Sequence, residues 1–159
     1  MSEFAKMPRE LETLFAGRGF TERHGCALPF VTVDPGGFPR AALLSFGEVR
    51  AHSGKELAVA VKTRSHTAAN LIRRQQAMLY YLGRNYCAFV QARVGRGRAC
   101  DCDPERQIFP LAVFRVKVDE PGPEEGEVEI LTGPLFSASN PDRIFSQPLF
   151  DELGKAEAL

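Results

Sequence analysis

Residues 57–71 read LAVAVKTRSHTAANL, and their interpretation decides the fold. The stretch opens with apolar residues at strand length, Leu57 to Val61. It turns abruptly polar and cationic at Lys62, Thr63, Arg64, Ser65, His66 and Thr67. Apolar residues then resume at helical spacing through Ala68, Leu71 and Ile72. This pattern predicts a strand that hands over to a helix, with Ser65 or Thr67 as N-cap. Two cations, three hydroxyls and the free N–H groups of a helix start suit a phosphate. The same residues also suit an ordinary charged corner, so the flanking chain has to discriminate between the two.

Upstream, Leu28 to Val33 is rich in β-branched residues. DPGGFP follows at 34–39, a strong turn signal, and Arg40 to Phe46 reads as the returning strand. Leu28 to Phe46 is therefore predicted to be a β-hairpin. Pro39 is tolerated at its strand start because no ladder donor is needed there. Between hairpin and corner, Glu48 to Lys55 holds a second turn at His52 to Lys55. Further upstream, Pro8 to Phe15 has helical spacing at Leu11, Leu14 and Phe15 and is ended by Gly17 and Gly19. This short amphipathic helix is expected to cover one end of a barrel.

Downstream, the helix that starts near Ser65 runs to about Gln76, with Arg73 and Arg74 on its outer side. Ala77 to Leu82 and Cys87 to Val94 read as strands around a Gly83-Arg84-Asn85 turn. The second could continue past Gly95 and Gly97 to Cys100, with a bulge or a close approach at the glycines. Asp101 to Arg106 reads as a loop or the start of a short helix. Ile108 to Val118 alternates, with Phe114, Val116 and Val118 on one face and Arg115 and Lys117 on the other. Glu120 to Gly126 is a loop, and Glu127 to Leu131 a last strand. The proline-rich tail from Thr132 holds one short helix near Gln147 to Gly154.

Six to seven strands joined by short turns predict a mainly β fold: an antiparallel split β-barrel with short flanking helices. One domain is expected over 1–159, with a helical lead-in at 1–27 and a loop-rich tail at 132–159. Hydrophobic residues make up 44% of the chain, which is globular rather than disordered. Twenty basic residues balance twenty acidic ones, which argues against nucleic acid as partner. No apolar run is long enough to span a bilayer, and the charged start carries no signal-peptide pattern. A cytoplasmic location is expected, with the cysteines at 26, 87, 100 and 102 reduced. Cys100 and Cys102 lack a second pair, and His24, His52 and His66 show no ligand spacing, so no metal site is predicted.

The order of these pieces resembles the pyridoxamine 5′-phosphate oxidase-like family, the FMN-binding split barrels. LPFVTVDPGGFPRAALLSF is similar to the family's opening hairpin. LAVAVKTRSHTAANLIRRQQAMLYYL is similar to its strand, Ser/Thr/Arg/Lys cluster, helix and apolar strand. VGRGRA and AVFRVKVDE follow in the family's order, so the resemblance spans roughly Leu28 to Leu131. It implies a homodimer with FMN at the subunit interface and a small-molecule substrate. It implies that the strand of Arg40, Ala41, Ala42, Leu43, Leu44 and Ser45 runs along the flavin ring, largely through backbone groups. It assigns Lys62, Thr63, Arg64, Ser65 and Thr67 to the FMN phosphate, with Asn70 as a further candidate. Arg40 could reach the phosphate or the ribityl chain.

The tail TGPLFSASNPDRIFSQPLFDELGKAEAL departs from the family's substrate-phosphate segment, which points away from pyridoxamine phosphate. No side chain stands out as a catalytic acid or base, which suits cofactor-centred oxidoreductase chemistry. The alternatives are a non-enzymatic flavin- or haem-binding barrel, a deazaflavin-dependent reductase, and a barrel that has lost its ligand. Haem would need His24, His52 or His66 as its axial ligand.

Overall fold

The LAVAV run lacks alternation because both of its faces are covered. The structure, a computed structural model, describes residues 1–17, 25–122, 124 and 131–155. In strand β5 (Glu56–Lys62), Leu57, Val59 and Val61 enter the main core. Ala58 and Ala60 face a second cluster with Cys100, Ile108, Leu149, Phe150 and Leu153. A strand buried on both sides reads as a continuous apolar run.

The other strands are β1 (Ser2–Phe4), β2 (Ala27–Val33), β3 (Pro39–Ser45), β4 (Val49–Ser53) and β6 (Gln76–Gly83). They are followed by β7 (Tyr86–Val94), β8 (Arg98–Ala99) and β9 (Arg106–Asp119). The helices are α1 (Arg9–Phe15), α2 (His66–Arg74) and α3 (Gln147–Leu153). The strands form one curled antiparallel sheet, a half-barrel, in the order β3-β2-β6-β7-β9-β5-β4. β1 and β8 pair with β9 off this path. The predicted mainly β split barrel is observed, and β3 and β4 lie at its two ends.

The β2–β3 hairpin forms as expected, with Val33 opposite Pro39 and Ala27 opposite Ser45. Asp34 closes its turn: the Asp34 and Phe38 main chains bond at 2.9 Å, and Asp34 Oδ1 accepts from the Phe38 N–H. Gly37 has φ +90°, the left-handed position that favours glycine. α1 forms as the sequence predicts and buries Leu11, Leu14 and Phe15 in the main core. The Phe15 and Phe46 rings lie 5.8 Å apart, and Tyr81 meets both edge-on.

Four details differ from the sequence-based expectations. β4 occupies residues where only a turn is predicted, because two buried positions, Val49 and Ala51, among polar neighbours give too short an alternation to detect. β1 is likewise a strand in the predicted helical lead-in. β7 ends at Val94 rather than running on to Cys100, and β8 is a separate short strand. The break brings Gly97 so close to β9 that a Cβ there would stand 2.5 Å from the Phe109 ring. Phe114 does not share a face with Val116 and Val118. Gln91 pairs with Arg115 and Ala92 with Val113, so Phe114 is the extra residue of a β-bulge. It turns outward, 47% exposed, with the Arg93 guanidinium 5.5 Å from its ring. The strand predicted at Glu127 to Leu131 lies outside the described residues apart from Leu131, which is not in a strand.

The predicted tail helix is α3, and it seals the outer face of β5. Ser146 Oγ accepts from the Leu149 N–H at its start. Cations and a histidine meet its far end, where helix carbonyls lack partners. Arg98 donates to Glu152 Oε1 at 2.7 Å and to Glu152 O at 3.2 Å. Arg50 donates to Phe150 O at 2.9 Å, and His52 Nε2 lies 3.0 Å from Leu153 O. Burial and the Arg98 bond pull on Glu152 in opposite directions. The Arg98 bond outweighs burial and holds the carboxyl below its ordinary value, with Lys155 helping.

Candidate functional site

The strand-to-helix corner is built as its sequence predicts. The Thr63 N–H donates to Glu105 O at 2.7 Å, which fixes the end of β5 beside the loop before β9. The Ser65 N–H donates to Lys62 O at 3.1 Å, and Ser65 Oγ accepts from the Ala68 N–H at 3.1 Å as N-cap. The helix leaves the His66 and Thr67 amides without intrahelical partners, as every helix start does. α2 then turns off at Gln75, whose φ of 52° is left-handed and whose N–H donates to Leu71 O at 3.0 Å.

The corner exposes Lys62, Thr63 and Arg64, with Ser65 half-buried. Among the described residues neither Lys62 nor Arg64 has an ion-pair partner. Thr67 is buried at 8% exposure. Asn70 is buried too, and its Nδ2 donates to Thr32 Oγ1 at 3.0 Å. Thr32 Oγ1 in turn donates to Arg40 O at 3.4 Å. Asn70 thus ties α2 to the hairpin. Arg74 adds a second tie by donating to the Asp34 and Pro35 carbonyls, both at 3.1 Å.

β3 pairs with β2 alone, so its other main-chain edge is unpaired among the described strands. Arg40, Ala41 and Leu43 are exposed and Ala42 is half-buried. Leu44 and Ser45 are buried. Ser45 and Glu48 form a capping box around the 3-10 turn Phe46–Glu48, with the Ser45 N–H donating to Glu48 Oε2 at 2.8 Å.

A cavity of about 580 Å³ opens at that turn, within the size range of small-molecule sites. Ser45, Glu48, Cys102 and Arg106 line it on the barrel side, and Phe136 and Arg143 on the tail side. Arg106 forms a close ion pair with Glu48, and its Nε donates to Asp103 Oδ2 at 3.1 Å. Burial works against the guanidinium charge, but Glu48 and Asp103 outweigh it and hold Arg106 above its ordinary value. At the rim, Cys102 Sγ lies 3.2 Å from Cys100 Sγ. Desolvation, and then the Cys100 sulfur, push the Cys102 thiol up to about 11.

The predicted residues therefore fall into two neighbouring groups. Lys62 to Ser65 form an exposed cationic corner, while the Arg40 to Ser45 strand leads to the cavity and supplies only Ser45 to its lining. The β5–β9 register joins the groups, because Lys62 lies opposite Arg106. Sequence reasoning missed Glu48 and Arg106. The Ser45-x-x-Glu48 spacing was the available signal for the first. Arg106 carried no signal, since its partners are remote or lie within a loop.

No family model and no curated protein matches the chain. Solved structures match it in fold. One, assigned to pyridoxamine 5′-phosphate oxidases, from Lactobacillus delbrueckii, has a TM-score of 0.54 at 17% identity, covering 74% of this chain and 99% of its own. An F420 reductase has a TM-score of 0.54 at 15% identity, covering 70% of this chain and 98% of its own. An FMN-binding protein from Syntrophomonas wolfei has a TM-score of 0.51 at 12% identity, covering 68% and 86%. The curled sheet, its strand order and these likenesses together give the chain the fold of the pyridoxamine 5′-phosphate oxidase-like split barrels that its sequence resembles.

Proposed function

We propose that the chain is an FMN-binding flavoprotein that acts as an oxidoreductase on a small molecule. One observation carries this reading: two exposed cations without ion-pair partners among the described residues stand at the start of a nine-residue helix, in a fold shared with an FMN-binding protein. The donor set fits a phosphate dianion. Lys62 supplies a point charge and Arg64 a bidentate fork. Thr63 and Ser65 supply hydroxyls, and the α2 start supplies amides. The buried Asn70 positions α2 through its bond to Thr32 rather than touching the ligand. The free main-chain edge of β3 suits the polar rim of a flavin ring, and the exposed Arg40 suits the chain between ring and phosphate. Bound FMN would supply hydride and one-electron chemistry. The cavity beside Ser45 would hold the reaction partner, with the Glu48–Arg106 pair as its polar wall.

The outer face of the sheet fits a second copy of the chain. Register places Leu43 beside Pro29, Val31 beside Met78, and Tyr80 beside Phe89 on that face. The Tyr80 and Phe89 rings meet edge-on at 4.9 Å. Leu43, 51% exposed, adds to the apolar surface along β3. A homodimer covering this face would bring a partner surface against the ring strand. Among the described residues no helix is long and apolar enough to cross a membrane. The unbridged cysteines support a cytoplasmic location.

The test is a titration of the purified protein with FMN, followed by flavin fluorescence and the visible spectrum. Saturable quenching with a shifted flavin band supports the reading. Binding of haem or of a deazaflavin in its place, or of none of the three, overturns it.

A further inference from the structure

Cys100 and Cys102 place their sulfurs 3.2 Å apart at the rim of the cavity, and the site just described gives them no role. Their environments differ. Cys100 is 3% exposed and packs with Ile108, Leu149 and Leu153. Cys102 is exposed. The chain between them is a bend outside any strand, anchored by the bond from the Cys100 N–H to Arg106 O at 3.1 Å. Residues two apart stay within about 7 Å, close to the Cα window that a disulfide accepts. An accessible sulfur beside a buried one is the arrangement of a thiol with its own resolving partner.

We propose that Cys100–Cys102 is a modification site: a vicinal dithiol that closes to a disulfide by exchange with a low-molecular-weight disulfide. The Cys102 thiolate attacks one sulfur of the reagent, forming a mixed disulfide and releasing one thiolate. The Cys100 thiolate then attacks the Cys102 sulfur, closing the protein bridge and releasing the second. The two protein protons end on the two released thiolates. The protein dithiol is oxidised by two electrons and the reagent disulfide is reduced to two thiols. The raised Cys102 thiol makes the first step slow near neutrality, so the exchange runs faster at alkaline pH. The next residue, Asp103, holds Arg106 Nε, so closure acts directly on the charged wall of the cavity.

The experiment incubates the full chain with oxidised glutathione at mildly alkaline pH, then counts free thiols and maps peptides by mass. The four cysteines of the sequence should give two free thiols, with the bridge in the 100–102 peptide and no retained glutathione. A Cys26→Ser/Cys87→Ser variant should close equally well. Cys100→Ser should instead trap glutathione on Cys102. A stable adduct on Cys102 in the unmodified chain overturns the proposal. So does a bridge to Cys26 or Cys87, or four thiols that survive while a reference dithiol is oxidised.

Discussion

Lys62 lies directly opposite Arg106 across the β5–β9 pair, yet only Arg106 is neutralised. Glu48 and Asp103 hold the Arg106 guanidinium, whereas Lys62 projects to solvent with no partner among the described residues. Two cations on one face of a strand pair thus divide into a structural one and an available one. Lys62→Ala and Arg64→Ala should each weaken FMN binding tenfold to a hundredfold, the effect of losing about 1.5–3 kcal/mol of charge-assisted contact. Neither should shift the melting temperature. Arg106→Ala should do so, because it strands two carboxylates. Paired titrations and thermal melts separate the outcomes.

Asn70 tests the claim that α2 is positioned from below. Its amide bonds Thr32 beneath the hairpin, so Asn70→Leu leaves the corner cations in place while releasing the helix. Stability should fall by about 1–3 kcal/mol in urea unfolding. FMN affinity should fall less than in Arg64→Ala. A larger affinity loss than in Arg64→Ala would instead make Asn70 a direct ligand contact.

Glu152 sets an acid limit on the α3 seal. Its carboxyl is held below the ordinary 4.5 chiefly by the Arg98 bond, against burial. A lowered folded pKa contributes stability that is present above the unfolded value and lost as pH falls through the folded one. Melting temperatures should therefore decline below about pH 4.5, and Arg98→Ala should flatten that decline while lowering stability at neutral pH. A pH–melting profile of both proteins checks the sign.

Gly97 is required by proximity. A Cβ would meet the Phe109 ring at 2.5 Å, so Gly97→Ala should cost about 1–3 kcal/mol of overpacking. Adding Phe109→Leu should recover part of it. Equal losses in the single and double variants would locate the strain elsewhere.

The outer-face dimer is tested at Met78, which faces outward between Val31 and Gln91. Met78→Glu places a charge on that surface away from the cationic corner. Sedimentation equilibrium should show a dimer for the unmodified chain and a monomer for the variant, with weaker FMN binding in the monomer. A monomer for the unmodified chain removes the two-chain site.

The parts legible in the sequence were local. The hairpin was readable because Asp34 to Pro39 carries its own turn chemistry, and the corner because Ser65 caps α2 from within. The Phe114 bulge was hidden, because alternation in one strand cannot register an extra residue that only the β7 partner reveals. β4 is short, and its two buried positions, Val49 and Ala51, alternate with Arg50 and His52, which reach across to α3. The cavity was least legible. Glu48, Arg106 and Arg143 are distant in sequence, and the wall from Phe136 onward belongs to a segment whose composition reads only as loop.

The central claim is that the corner and the β3 edge hold FMN, and the most direct measurement is an FMN titration of the unmodified chain beside Lys62→Ala/Arg64→Ala. The account predicts saturable fluorescence quenching and a perturbed visible flavin band for the unmodified chain. It also predicts a roughly hundredfold or greater loss of affinity in the folded double variant. Equal affinity in the two proteins would remove the phosphate site from the corner, and no binding by the unmodified chain would contradict the flavoprotein reading itself.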